Sequence, residues 1–203
     1  MVRIALPGLL ACGMLMQAGD RMRIGVRLQT PPSMPPKLVE ELVRETERHW
    51  DFPALEIHWH HSNATCKGHD NRLVMVRFRG ACSSQRPAAP AIEKALGHTH
   101  VSDDHVLPFV EIDCDAIAAS LFTRERGSRT HLSVERYAHA LAVVLTHEMV
   151  HALTASRSHA KSGIMRPVLT PDDLDEESIS LAPETIGDLE EALAVPLVEA
   201  RQE

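Results

Sequence analysis

Residues 147 to 165, HEMVHALTASRSHAKSGIM, hold the side chains of this chain best suited to chemistry. His147 and His151 stand four apart, and on a helix residues four apart lie one above the other, so both imidazoles can face one metal ion. That spacing is what a tetrahedral zinc ion requires. Glu148 is rotated by about 100° from His147, so it flanks the ion without being forced to coordinate it. A third protein ligand would leave the fourth position to water, the condition that separates a catalytic zinc from a closed structural one. Zinc lowers the pKa of that water toward about 7 and polarises a carbonyl, while Glu148 takes the proton and hands it to a leaving amine. Peptide-bond hydrolysis is the reaction this set favours.

The residues that follow resemble the metzincin clan of zinc endopeptidases, whose signature is HExxHxxGxxH and then a methionine-containing turn beneath the metal. His147, Glu148 and His151 match the first half, and Met165 in SGIM matches the turn. Two positions depart from the pattern: Thr154 stands where the clan has glycine, and Arg157 where it has the third histidine. The run is similar to a form found in small matrixin-like bacterial proteins, HExxHxLxxxxxHSxxGIM, which has its third histidine at the longer spacing of His159. This resemblance implies one catalytic Zn2+ held by His147, His151 and His159, Glu148 as general base and acid, and Met165 as a hydrophobic floor. A downstream carboxylate such as Glu176 or Glu184 is the other source of a third ligand. The function implied is a zinc-dependent endopeptidase. The alternative is a zinc-stabilised binding protein on the same scaffold without turnover; Thr154 and the displaced histidine suit it, and Glu148 argues against it.

Several elements must position these residues. RMRIGVRL (21–28) alternates Met22, Ile24, Val26 and Leu28 with polar or small residues, the period of a half-buried strand. After TPPSMPP, the spacing of Leu38, Val39, Leu42 and Val43 predicts an amphipathic helix over 35–51. Residues 54–61 and 72–80 form two further strands, and ALGHTHV (95–101) and LPFVEIDCD (107–115) two more, with a turn at SDD between them. Ser133 is the expected N-cap of a long helix reaching Leu153 or Thr154, with Glu135 in its first turn and a stripe of Leu141, Val144, Leu145 and Met149. Residues 167 onward are irregular until a closing helix over 182–194. This order predicts an α+β fold with a twisted mixed sheet of about five strands. It matches a metzincin-like zincin domain over residues 21–203, with an upper subdomain to about 155 and a small C-terminal subdomain over about 156–203. The same resemblance makes ALGHTHV an edge strand that pairs with an extended peptide substrate.

Composition sets the remaining bounds. The 203 residues are 44% hydrophobic and 24% charged, ordinary values for one globular domain and not those of a multi-span membrane protein. The net charge of −7 belongs to the C-terminal part, because residues 167–203 hold eleven acids and one base. No basic stripe with interleaved aromatics appears, so nucleic acid is not an expected partner. Residues 1–20, with Arg3 and then no charge until Asp20, suit a secretory signal, with a lipoprotein site at Cys12 or a buried N-terminal element as alternatives. Export would make the protein secreted or periplasmic and favours a Cys66–Cys82 disulfide, since these cysteines bracket one short segment. A zinc knuckle from Cys66, His69 and Cys82 lacks a fourth ligand. His58, His60 and His61 are expected to face solvent or pack beside Trp59, and His98 and His100 to be exposed or to line the cleft. Asp103 and Asp104 lack the further oxygens that a calcium site needs.

Overall fold

A computed structural model describes residues 22–52, 55–61, 70–87, 95–124 and 130–194. The expected signal segment 1–20, Cys12, Cys66 and His69 lie outside the described residues, as does the side chain of His61.

Five strands, β1 (Met22–Gln29), β2 (Leu55–His61), β3 (Arg72–Arg79), β4 (Gly97–Ser102) and β5 (His105–Asp113), form one sheet in the order β2-β1-β3-β5-β4. All neighbouring pairs are parallel except β4 and β5, so the mixed sheet carries its one antiparallel strand at an edge. The β4–β5 hairpin closes through Asp103 (φ 49°) and Asp104 (φ 63°), the two consecutive positive φ angles that match the twist of a two-residue hairpin. One face of the sheet is apolar and buried: Ile24, Val26 and Leu28 on β1, Val74, Val76 and Phe78 on β3, and Val110 and Ile112 on β5. The other face carries charged and histidine side chains.

Helices α1 (Pro36–His49) and α3 (Val134–Thr154) cover the apolar face. Leu38 and Leu42 of α1 are buried, and Trp50 just beyond it donates to Thr146 Oγ1 of α3 at 3.2 Å. Ser133 caps α3 as its sequence predicts, accepting from the Arg136 amide. Where a one-sided apolar stripe is expected, α3 is buried nearly all round from Tyr137 to His151. The sheet lies on one side and α1 and the C-terminal segment on the others, so α3 is a central helix of the type that is apolar on every face.

Two elements differ from expectation. The strand predicted over 107–115 stops at Asp113, whose carboxylate accepts from the Ala116 amide and starts helix α2 (Cys114–Thr123). A short helix α4 (Pro171–Asp175) stands in the stretch expected to be irregular, closed by a capping box between Thr170 and Asp173. The closing helix is α5 (Pro183–Ala194).

The Cys66–Cys82 pairing is corrected: Cys82 is bonded to Cys114. Strands β3 and β5 are parallel neighbours, with Arg79 opposite Asp113, so the residues just past their C-terminal ends are side by side. Cys82 follows β3 and Cys114 follows β5, and their Cα atoms lie 4.8 Å apart. Among the described residues no helix is long and apolar enough to cross a membrane.

Candidate metal centre

The last two turns of α3 carry His147, Glu148 and His151, only 7%, 7% and 8% exposed. The helix ends at Thr154, and Ala155 takes the left-handed conformation (φ 48°, ψ 34°) that reverses the chain. Thr154, at the position the clan gives to glycine, is instead still helical, with its hydroxyl bonded to the Val150 carbonyl. The chain therefore turns one residue later than in the HExxHxxGxxH pattern. The exposed loop then brings His159 back, its ring centroid 5.2 Å from that of His147 and 4.8 Å from that of His151. One nitrogen from each of the three imidazoles lies within 4.8 Å of the others. Of the two acids that could supply a third ligand instead, Glu176 accepts from the Ser178 hydroxyl on its side chain and from His139 Nε2 on its carbonyl, while Glu184 lines a groove with His159 and Met165.

Two backbone carbonyls set the tautomers. His147 Nδ1 lies 2.8 Å from the Ile164 carbonyl, and His151 Nδ1 lies 2.8 Å from the Ser156 carbonyl. A carbonyl only accepts, so each Nδ1 carries the proton and each Nε2 keeps its lone pair. These two Nε2 atoms face one another at 3.2 Å. Ligand atoms about 2.0–2.1 Å from a tetrahedral zinc stand about 3.3 Å apart, so the pair is spaced as two corners of such a site. Burial pushes the His147 pKa down to about 4, opposed by the bond to Ile164, and burial likewise lowers His151. Both rings are thus neutral at pH 7, the form that binds metal. Two facing lone pairs repel, and a cation between them removes the repulsion. The donor set fits zinc.

The Gly-Ile-Met turn supplies one of those carbonyls. Gly163 has φ +70°, and a Cβ there would lie 2.4 Å from the Ser180 carbonyl oxygen, so no side chain fits. The Ile164 amide donates to that same Ser180 carbonyl, and Ala160 donates to the Met165 carbonyl. Ile164 and Met165 are buried, so the turn is held from both sides while the Ile164 carbonyl aims at His147.

Glu148 is held against β4. The Thr99 hydroxyl lies 2.8 Å from Glu148 Oε2 and 2.9 Å from the Glu148 carbonyl, so its single proton is shared between them. Burial raises the Glu148 pKa to about 6, with the Thr99 bonds opposing. Gly97 permits the close approach, because a Cβ there would meet Val144 Cγ1 at 2.9 Å, Glu148 Cγ at 3.0 Å and the Glu111 carbonyl oxygen at 3.2 Å. Thr99, Gly97 and the carbonyls of Ser156 and Ile164 are not singled out by the sequence. The only signal available was the small residue and the threonine on a strand beside the helix.

The other histidines separate by face. His58 and His60 bind Asp70 on the outer face of the sheet, while Trp59 between them turns inward and donates to Glu47 of α1. His98 and His100 are also on the outer face, beside Glu111 and away from Glu148. They do not line the cleft at the three imidazoles.

A mixed sheet, a long central helix with a buried HExxH face and a methionine turn below it define a metzincin-type fold. The archaemetzincin of Methanopyrus kandleri has a similar structure, with a TM-score of 0.52 at 14% sequence identity, covering 89% of this chain and 100% of that one. No family model matches the chain, and no curated protein matches it in sequence.

Proposed function

We propose that the protein is a zinc-dependent endopeptidase, with His147, His151 and His159 as the metal ligands. The observation that carries this reading is the pair of unprotonated Nε2 atoms facing each other at 3.2 Å in a buried site. Zinc, when bound, polarises the scissile carbonyl and acidifies the attacking water. Glu148 receives the proton of that water and delivers it to the leaving amine. Its bond from Thr99 holds one carboxylate oxygen, Oε2, and leaves the other for the water. Thr99 is thus a positioning residue that ties the general base to β4.

Strand β4 is the end strand of the sheet, so its outer backbone groups can pair with an extended peptide. The substrate would then lie between this edge and the chain beyond α3, at the junction of an upper subdomain (21–155) and a C-terminal one (156–203). Met165 packs beneath as an apolar floor. The Cys82–Cys114 disulfide supports an oxidising location, secreted or periplasmic.

Glu148→Ala tests the assignment. Zinc content should stay at one ion at this site while hydrolysis of a random peptide library is lost. Wild-type protein loaded with zinc that cleaves no library peptide would instead favour a zinc-stabilised binding protein.

A further inference from the structure

The outer face of the sheet holds a second convergence of ligand atoms, on strands that no part of the proposed reaction uses there. His98 and His100 alternate on β4 and so leave the same face. Glu111 stands directly opposite His98 on β5. His98 Nε2 lies 3.3 Å and His100 Nε2 3.8 Å from the same oxygen, Glu111 Oε2, and the three ligand atoms all lie within 4.8 Å of one another. These separations approach the roughly 3.3 Å edge of a tetrahedral zinc site. Glu111 itself is buried, while both imidazoles reach solvent, so the arrangement is a carboxylate floor under two accessible nitrogen donors.

His58 and His60 have the same spacing on β2, but each takes a different oxygen of Asp70, Oδ1 for His58 and Oδ2 for His60. No single point there is shared by all three groups. At Glu111 the two imidazoles converge on one oxygen.

We propose that His98, His100 and Glu111 form a second, solvent-open site for a divalent transition metal of the zinc type, clamping edge strand β4 to β5. Imidazole and carboxylate donors suit zinc and its neighbours better than calcium or magnesium. Arg79 and Arg77 compete for the carboxylate, Arg79 on Oε2 at 3.0 Å and Arg77 on Oε1 at 3.4 Å. Both arginine side chains are more than half exposed, so Arg79 can turn into water when a cation takes its oxygen. Thr99 lies between the two histidines and faces inward to Glu148, so a metal on the outer face would fix the strand that holds the general base.

Equilibrium dialysis of the chelator-stripped full-length chain against Zn2+ tests this, with bound zinc measured by elemental analysis. Wild type should bind two ions. The double variant His98→Asn/His100→Asn should bind one, and His147→Asn/His151→Asn should bind one of the other kind, so the two sites fail independently. Arg79→Gln should tighten the second ion several-fold, because it removes a competing cation. Zinc binding unchanged in the His98/His100 variant, or unaltered affinity of the second ion in Arg79→Gln, would overturn the proposal.

Discussion

Replacing Gly97 with alanine should disturb the general base without touching a ligand of the three-imidazole centre. The added Cβ would stand 2.9 Å from Val144 Cγ1, 3.0 Å from Glu148 Cγ and 3.2 Å from the Glu111 carbonyl oxygen. Carbon atoms pack best at about 3.5–4.0 Å, so β4 or α3 must move by roughly half an ångström or more. Val144 is fully buried and β-branched, and cannot rotate away. Overpacking of this kind costs about 1–3 kcal/mol, against about 0.4–1 kcal/mol returned by the stiffer unfolded chain. The net loss, on the order of 1–2 kcal/mol, lowers the melting temperature by about 2–8 °C in a chain of this size. The same shift lengthens the 2.8 Å bond from Thr99 to Glu148, so kcat should fall while zinc at the His147 site is retained, because the nearest atoms to the added Cβ belong to Val144, Glu148 and Glu111 and to none of the three imidazoles. Differential scanning calorimetry, zinc analysis and peptide hydrolysis give the three readouts. A Gly97→Ala variant with wild-type stability and kcat would mean that β4 does not press on α3 at Glu148.

Thr99→Val keeps the shape of the side chain and removes the hydroxyl that bonds Glu148. A bond to a charged group is worth about 1.5–3 kcal/mol, so kcat/KM should fall roughly tenfold or more, with zinc retained and activity restored in Thr99→Ser; equal rates for valine and serine would refute the role. Metal-free protein should lose stability as pH falls from about 6.5 to about 4. His147 and His49 titrate at about 4 when folded and near 6.5 when unfolded, so the unfolded chain binds more protons across that window, an effect on the order of 3 kcal/mol for each ring. Glu148, raised to about 6, works in the opposite direction between about 4.5 and 6, one group against three histidines, since burial lowers His151 as well. Urea unfolding of the chelated protein at pH 7 and pH 5 checks the sign, and equal stabilities would contradict it. Removing the disulfide in Cys82→Ala/Cys114→Ala opens a loop spanning 32 residues, which should cost about 3–4 kcal/mol in denaturant unfolding; no change would place the two cysteines apart in solution.

Much of the scaffold could be seen in local patterns because its elements obey local rules. The alternation in β1, the amphipathic spacing of α1 and the Ser133 cap of α3 each depend on residues within one turn or one strand. Helix α2 was hidden because VEIDCD continues an apolar alternation, and the one cue for its start is Asp113 acting as an N-cap. The disulfide partner depends on strand order, which no local pattern carries: Cys82 meets Cys114 only once β3 and β5 lie side by side. Within the site, the histidine spacing on α3 was legible, since helical geometry alone puts His147 over His151. The carbonyls of Ile164 and Ser156 were not, because a backbone acceptor has no residue-type signature. Thr99 and Gly97 belong to a strand about 50 residues before Glu148 in the chain, and only the packing of β4 on α3 brings them to it.

Zinc-edge anomalous diffraction from crystals of the zinc-loaded full-length protein is the most direct test of the three-imidazole centre. An ion about 2.0–2.1 Å from the Nε2 atoms of His147 and His151, with His159 completing the set and a Glu148 oxygen beside its open side, is the predicted result. An anomalous peak that leaves His159 uncoordinated, or the absence of any peak between His147 and His151, would contradict it.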